Sequence, residues 1–312
     1  MLKSAICDLL GIRYPIIQGG MAHLGTSELV AAVSNAGGLG IIGAGHYQPD
    51  WVQQQIRLAR GQTERPFGVN IALTSPFVDG VIDVIVSEGV PVVTTGGGDP
   101  GPYIGRFRDA GIKIMPVVAS EAAAKRVERD GADIIVAEGM ESGGRIGETT
   151  TMALVPQVVD NVAVPVVAAG GIADGRGLVA AFALGAQGVQ MGTRFVCSTE
   201  CVAHALYKRK IVEAGDTATV VTRQTLGYPL RTLRNKLSRE FAELEKAGVP
   251  PDALELFDRD RMYLGLIAGD LDDGSLIAGQ IAGLINDIKP VRDIIAGMIV
   301  EAEAVLAGLT RD

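Results

Sequence analysis

Apolar and polar positions follow a recurring cycle along the chain. A short apolar run is followed by a glycine-rich or polar turn, and then by a stretch with helical spacing. The apolar runs fall at 16–22, 39–43, 67–71, 90–95, 113–118, 133–137, 165–169 and within 185–195. They carry few charges, which suits strands covered on both faces rather than half-exposed ones. Helical spacing is predicted at 1–11, 26–36, 49–60, 76–88, 103–110, 120–130, 149–161 and 174–184. Thr26 or Ser27, Ser120 and Asp174 stand where N-caps belong. Strand and helix alternate at roughly 22–30 residues per unit, the signature of a parallel sheet with helices outside. Eight units favour a closed (β/α)₈ TIM barrel over an open doubly wound sheet. No G-x-G-x-x-G follows the first strand, which also argues against the open sheet.

The rhythm changes after about residue 200. The stretch 229–248 contains Arg231, Arg234, Lys236, Arg239, Glu240 and Glu243 and is predicted to be a charged amphipathic helix. Asp270 to Ser275 is acidic and turn-rich; it resembles a calcium loop but lacks the twelve-residue pattern, so a structural turn is the better reading. An apolar helix is predicted to start at 278–283, and a final helix to run over 290–309. The expected division is a barrel made of 1–200 plus a C-terminal helix at 290–312. The intervening 201–289 would form a helical lid or substrate subdomain laid over the barrel mouth.

Bulk properties narrow the field. The chain has 312 residues, 41 of them glycine, which suits many tight strand–helix turns around an aliphatic core. A net charge of −8 offers no electrostatic footprint for nucleic acid. Cys7, Cys197 and Cys201 make no disulfide framework and suggest a reducing compartment. No signal-peptide pattern or membrane-length apolar stretch is present, so a soluble cytoplasmic protein is expected.

Candidate chemistry gathers where the strands end. Strand seven runs into Gly170-Gly171 and then Asp174, and strand eight ends at Gly192-Thr193. Two successive glycine turns there match the phosphate site of a (β/α)₈ barrel, with backbone N–H groups at the helix start turned toward an anion. An ordinary strand–helix turn also needs glycine. The other strand-end candidates are Gln18, Gly20, Met21, Ala22, Asn70, Thr95, Glu138, Gly143, Gly144, Arg145, Ala169, Gln190 and Met191. No zinc pattern, hydrolase elbow or hydrolytic triad appears, and His23, His46 and His204 are scattered. Hydrogen-bonding groups without acid–base pairs suit a cofactor that brings its own chemistry. A phosphate-tailed flavin is the natural candidate. Gly20, Met21 and Gly143 would leave room for its flat ring, and Asn70 would bond the ring edge.

Six ordered motifs carry a family resemblance. They are Gln18-Gly19-Gly20-Met21, Ala36-Gly37-Gly38-Leu39-Gly40, Pro66-Phe67-Gly68-Val69-Asn70, Glu138 through Gly144, Ala168 through Ile172, and Gln190 through Phe195. Together they resemble the FMN-dependent nitronate monooxygenase/enoyl-ACP reductase II family over nearly the whole chain. The stretches 131–133 through 149–152 and 279–283 are most similar to its FabK-type enoyl-ACP reductase branch. The resemblance implies a TIM barrel, non-covalent FMN, NADH or NADPH as electron donor, a homodimer, and a monovalent-cation site for which no motif is seen. The substrate implied is an enoyl-acyl-carrier-protein or enoyl-CoA thioester in fatty-acid synthesis.

One departure stands out. After the Gly143-Gly144 pair the family usually has a histidine, the presumed base of nitronate monooxygenases; this chain has Arg145. An arginine cannot serve as a base, which weakens a monooxygenase reading. As the tentative catalytic residue, Arg145 would polarise a thioester carbonyl or bind a pyrophosphate. The alternatives are that it faces solvent or pairs with Glu138, Glu141 or Glu148. Arg231, Arg234 and Lys236 would receive an acidic carrier protein, with a solvated helix face as the plainer reading. A flavin-binding protein without reductase activity is a further alternative.

Overall fold

The computed structural model describes residues 4–309. Its barrel strands are β1 (Ile16–Gln18), β2 (Gly40–Gly43), β3 (Phe67–Ala72), β4 (Val92–Gly96), β5 (Lys113–Val118), β6 (Ile135–Glu138), β8 (Val166–Ala169) and β9 (Gly188–Met191). The two-residue β7 (Gly144–Arg145) lies outside the barrel. All barrel pairings are parallel, in the order β1-β9-β8-β6-β5-β4-β3-β2. A parallel bridge from Ile17 to Leu39 brings β1 beside β2 and closes the ring. The fold is the predicted (β/α)₈ barrel.

Side chains alternate along each strand and so build two cores. Ile17, Leu39, Ile41, Val92, Met115, Val136, Val167 and Ala169 fill the barrel interior. Ile6, Leu10 and Ile12 join them from below, so the N-terminal helix Ala5–Leu10 plugs the barrel floor. Ser4 caps this helix and Gly11 ends it in the left-handed region at φ 65°. The first three residues of the predicted 1–11 helix lie outside the described residues, as do 310–312 of the predicted C-terminal helix. The larger core lies between strands and outer helices, with Val69, Val93 and Ile135 facing Ile82, Phe107 and Val127.

The chain leaves the barrel after the short helix Thr193–Val196 and re-enters it in the long helix Val291–Leu309. Where it leaves and returns, Thr199 N–H donates to Lys289 O (3.0 Å) and Lys289 N–H to Cys197 O (3.3 Å). The intervening segment is not helical throughout. It contains β10 (Thr219–Thr222) and β11 (Leu230–Leu233), and β11 pairs with both β10 and β7 in a small antiparallel sheet. The predicted helix at 229–248 therefore begins only at Lys236. Leu230 to Leu233 are all buried, Arg231 included, and Asn235 starts the helix with a capping box to Ser238. The predicted helix start at 278–283 is a 3₁₀ turn, Gln280–Leu284. No described helix is long and apolar enough to cross a membrane.

Candidate active site

The C-terminal strand ends open into a cleft of about 550 Å³. Gly20, Met21, Ala22, Asn70, Glu138, Gly143, Gly144, Arg145, Ala169, Gly170, Gly171, Gln190, Met191, Gly192 and Thr193 all line it. Thr95 does not. Alternation on β4 turns Thr95 toward the helix layer and puts Thr94 inside, where Asn70 Nδ2 donates to its Oγ1 (2.8 Å). The strand-end candidate Thr95 is thus off the cleft, and its neighbour Thr94 is the one that meets Asn70. Gln18 is also off the cleft, fully buried and bonded to Ile41 through both its amide atoms.

Two of the cleft glycines also admit neighbouring parts of the chain. A side chain at Gly20 would collide with the Asn70 side chain, so Gly20 makes room for Asn70 at the cleft wall. A Cβ at Gly143 would lie 2.7 Å from both Ala278 C and Gly279 N, so Gly143 admits the lid backbone. That junction is bonded as well: Gly279 N–H donates to Thr193 Oγ1 (3.0 Å) and Gln280 N–H to Glu141 O (2.9 Å). Gly170 and Gly171 have φ values of 90° and 71°, a conformation that glycine adopts without penalty.

The expected anion site at the Asp174 helix is already taken. Asp174 Oδ1 accepts from Gly177 N–H (3.0 Å), and Glu301 Oε2 accepts from Gly175 N–H (2.8 Å). Two carboxylates at one helix N-terminus leave no place for a phosphate. The glycine turns at 170–171 and 192–193 remain on the cleft wall.

The polar groups divide into satisfied and free. Glu141 accepts from Thr151 N–H at 3.0 and 2.9 Å and from its hydroxyl at 3.0 Å. Tyr207 donates its hydroxyl to Ile277 O. Arg231, expected at a docking surface, is buried and donates from Nε and Nη2 to Met140 O at 3.1 and 2.9 Å. It ties the small sheet to the loop after β6. By contrast, among the described residues Gln190 Oε1 is buried without a hydrogen-bond partner, and Ser142 Oγ has only the Glu138 carboxyl close by. Unsatisfied buried polar atoms are costly, and both residues face the cleft.

Glu138 ends β6 at the cleft, and burial pushes its carboxyl from 4.5 up to about 7, opposed in part by the neighbouring Ser142 hydroxyl. Such an acid keeps its proton in the folded state after the unfolded chain has lost it. Its contribution to stability therefore falls as pH rises from about 4.5 to about 7 and is flat above. Glu138→Gln is expected to remove this loss and to raise stability at pH 8 by up to about 3 kcal/mol. Denaturant titrations of the flavin-free protein at a series of pH values check the slope.

The loop after the Thr193–Val196 helix contains its own cation. Lys208 is buried, and its Nζ donates to Ser198 O and Cys201 O, both at 2.6 Å. The ammonium thus meets inward carbonyls of the kind that a monovalent ion would take. Among the described residues no cluster of His, Cys, Asp and Glu side chains is arranged to hold a metal. Lys208→Met is expected to leave both carbonyls unmet and to cost about 1–3 kcal/mol. Melting with potassium against choline at equal ionic strength should restore part of the loss in the variant and leave the parent unchanged.

The rest of the cleft wall was not legible in the sequence. Gly96 and Gly97 belong to a glycine run visible at the end of strand four, but Tyr207, Leu230, Met262, Leu266, Ile277 and Ile281 arrive only because the lid folds back over the barrel. They add apolar side chains to a lining that is otherwise rich in glycine and polar groups.

Comparisons with known proteins agree with this architecture. The family model described as nitronate monooxygenase matches residues 3–79 and 73–301. The structure of FabK from Thermotoga maritima is 50% identical, with a TM-score of 0.97 and 99% of each chain covered. A probable nitronate monooxygenase from Staphylococcus saprophyticus is 38% identical over 78% of this chain and 82% of its own length. A Mycobacterium tuberculosis protein is 32% identical over 96% of both chains; it is named (3aS,4S,5R,7aS)-5-hydroxy-7a-methyl-1-oxo-octahydro-1H-indene-4-carboxyl-CoA dehydrogenase. By family match, coverage and fold, the chain belongs to the nitronate monooxygenase family of oxidoreductases.

Proposed function

We propose that this protein is an FMN-dependent reductase of 2-enoyl thioesters that draws electrons from NADH or NADPH. The observation that carries the proposal is the mixed lining of the cleft. The strand ends and the loops after them supply glycines and the unpartnered Gln190 Oε1, and residues 207–281 add apolar side chains. The strand-end groups fit a flavin. The 170–171 and 192–193 turns would hold its phosphate, while Gln190 Oε1 would find a partner in its polar atoms. When bound, the flavin supplies hydride transfer. Asn70, fixed through Nδ2 by Thr94, keeps Oδ1 as an acceptor for a ring N–H. Met262, Leu266, Ile277 and Ile281 exclude water and cover an acyl chain.

The relatives point the same way. The Thermotoga protein is a FabK, and the mycobacterial one is named for a CoA thioester. Position 145 supports reduction over nitronate oxidation, because a permanently protonated arginine cannot abstract a carbon-bound proton. We assign the protein a soluble, cytoplasmic, homodimeric form, with an enoyl-acyl carrier protein or enoyl-CoA as its partner substrate.

Anaerobic stopped-flow absorbance tests the reading. The flavin-loaded protein is reduced with NADH or NADPH and then mixed with crotonyl-CoA. Rapid return of the oxidised-flavin band is the expected result. A reduced flavin that ignores the thioester, together with oxygen-dependent turnover of a nitronate in the absence of NADH and NADPH, would instead identify a monooxygenase.

A further inference from the structure

Among the described residues, Arg145 is the only lysine or arginine that lines the cleft. It is exposed at the rim, and among the described residues it has no ion-pair partner, so the expected pairings with Glu138, Glu141 or Glu148 do not form. Its place is nevertheless fixed. β7 is held to β11 by the Leu230–Arg145 and Arg231–Gly144 pairs, and the guanidinium lies 4.6 Å from the centre of the Tyr228 ring. Nη1 stands 3.3 Å from where a side chain on Gly97 would begin, with Thr74 just beyond. The side chain therefore reaches from the lid sheet to the turns after β3 and β4.

Stacking occupies one face of the guanidinium and leaves the N–H edge open. That planar edge matches phosphate oxygens in a bidentate fork. The setting is otherwise unfavourable to anions, since the chain has a net charge of −8 and Glu138 and Glu141 also line the cleft. A cation kept free of those carboxylates at the entrance is what an anionic reactant requires. Polarising a thioester carbonyl would call for a desolvated donor, and Arg145 is exposed to solvent.

We propose that Arg145, held by Tyr228 and given space by Gly97, is a phosphate-recognition site at the cleft mouth that binds the phosphate-bearing arm of an incoming reactant. The shared chemistry is a phosphate ester, carried either by the pyrophosphate of a nicotinamide dinucleotide or by the phosphate of a pantetheine thioester. This inference rests on the reductase reading for its reactants, but its test does not depend on turnover.

The test is equilibrium titration of the flavin-loaded protein with ADP-ribose and with coenzyme A, each as a probe of one source. Arg145→Met should weaken one of the two by about tenfold, and Arg145→Lys should recover part of the affinity. The weakened probe identifies the source. Raising salt should weaken binding to the parent and leave the Met variant nearly unchanged. Equal affinity of parent and Met variant for both probes, or no binding of either by the parent, overturns the proposal. A parent that binds a probe through Arg145 yet reduces no thioester leaves the phosphate site standing and rejects the reductase reading alone.

Discussion

Gly143→Ala is expected to lose flavin affinity by about 5- to 100-fold while the barrel stays folded. The new methyl group would stand 2.7 Å from Ala278 C and Gly279 N, and both neighbours are backbone, so no side chain can swing aside. Either the loop after β6 or the 277–281 segment has to move. Both line the cleft; Gln280 N–H donates to Glu141 O and joins them, while Gly279 N–H ties the 277–281 segment to Thr193 Oγ1 after β9. Overpacking of this kind costs about 1–3 kcal/mol, and about 2.7 kcal/mol corresponds to 100-fold in affinity. Flavin fluorescence on titration gives the affinity, and far-ultraviolet circular dichroism reports whether the barrel survives. Gly96→Ala is the matched control at the same cleft. A Cβ there meets nothing within 4 Å, and its φ is not in the left-handed range, so affinity should change little.

Asp258→Ala is expected to cost about 3 kcal/mol and to loosen the lid before the barrel. Arg223 is 1% exposed at the end of β10. Its guanidinium donates from Nε to Asp258 Oδ2 (2.7 Å), from Nη1 to Thr222 Oγ1 (2.7 Å) and from Nη2 to Ser275 Oγ (3.3 Å), and lies 4.7 Å from the Phe241 ring. Removing the carboxylate strands this charge in the lid interior. The double variant Arg223→Met/Asp258→Ala removes the charge too and should be less destabilised than the single one. Hydrogen exchange resolves where the loss falls. Faster exchange over 219–275 with unchanged protection in β3 to β5 is the expected pattern. Uniform loss across the molecule would mean that lid and barrel unfold together.

Most of the barrel was legible because each strand is buried on both faces and each turn needs glycine or a cap. Those local requirements leave a mark on local sequence. Ser120 and Asp174 cap the helices assigned to them. The gaps have specific physical origins. Thr94 and Thr95 have the same side chain, and only the register of β4 against β3 decides which faces Asn70. Leu230 to Leu233 read as helix because Arg231 and the charges that follow suggest a solvated face; the strand exists because β7 and β10 offer it edges. Glu301 lies 126 residues from the amide it accepts from, a separation that no local pattern conveys. The same holds for Tyr207 and Met262 in the cleft wall.

The paired bonds between 197–199 and 289 have an evolutionary corollary. The chain departs from the barrel and returns to it at adjacent points, so ring closure does not depend on the length of what lies between. On this geometry the excursion could be exchanged without opening the ring. A lineage can replace it and present a different wall to the same strand ends, acquiring a new substrate without having to reinvent the barrel.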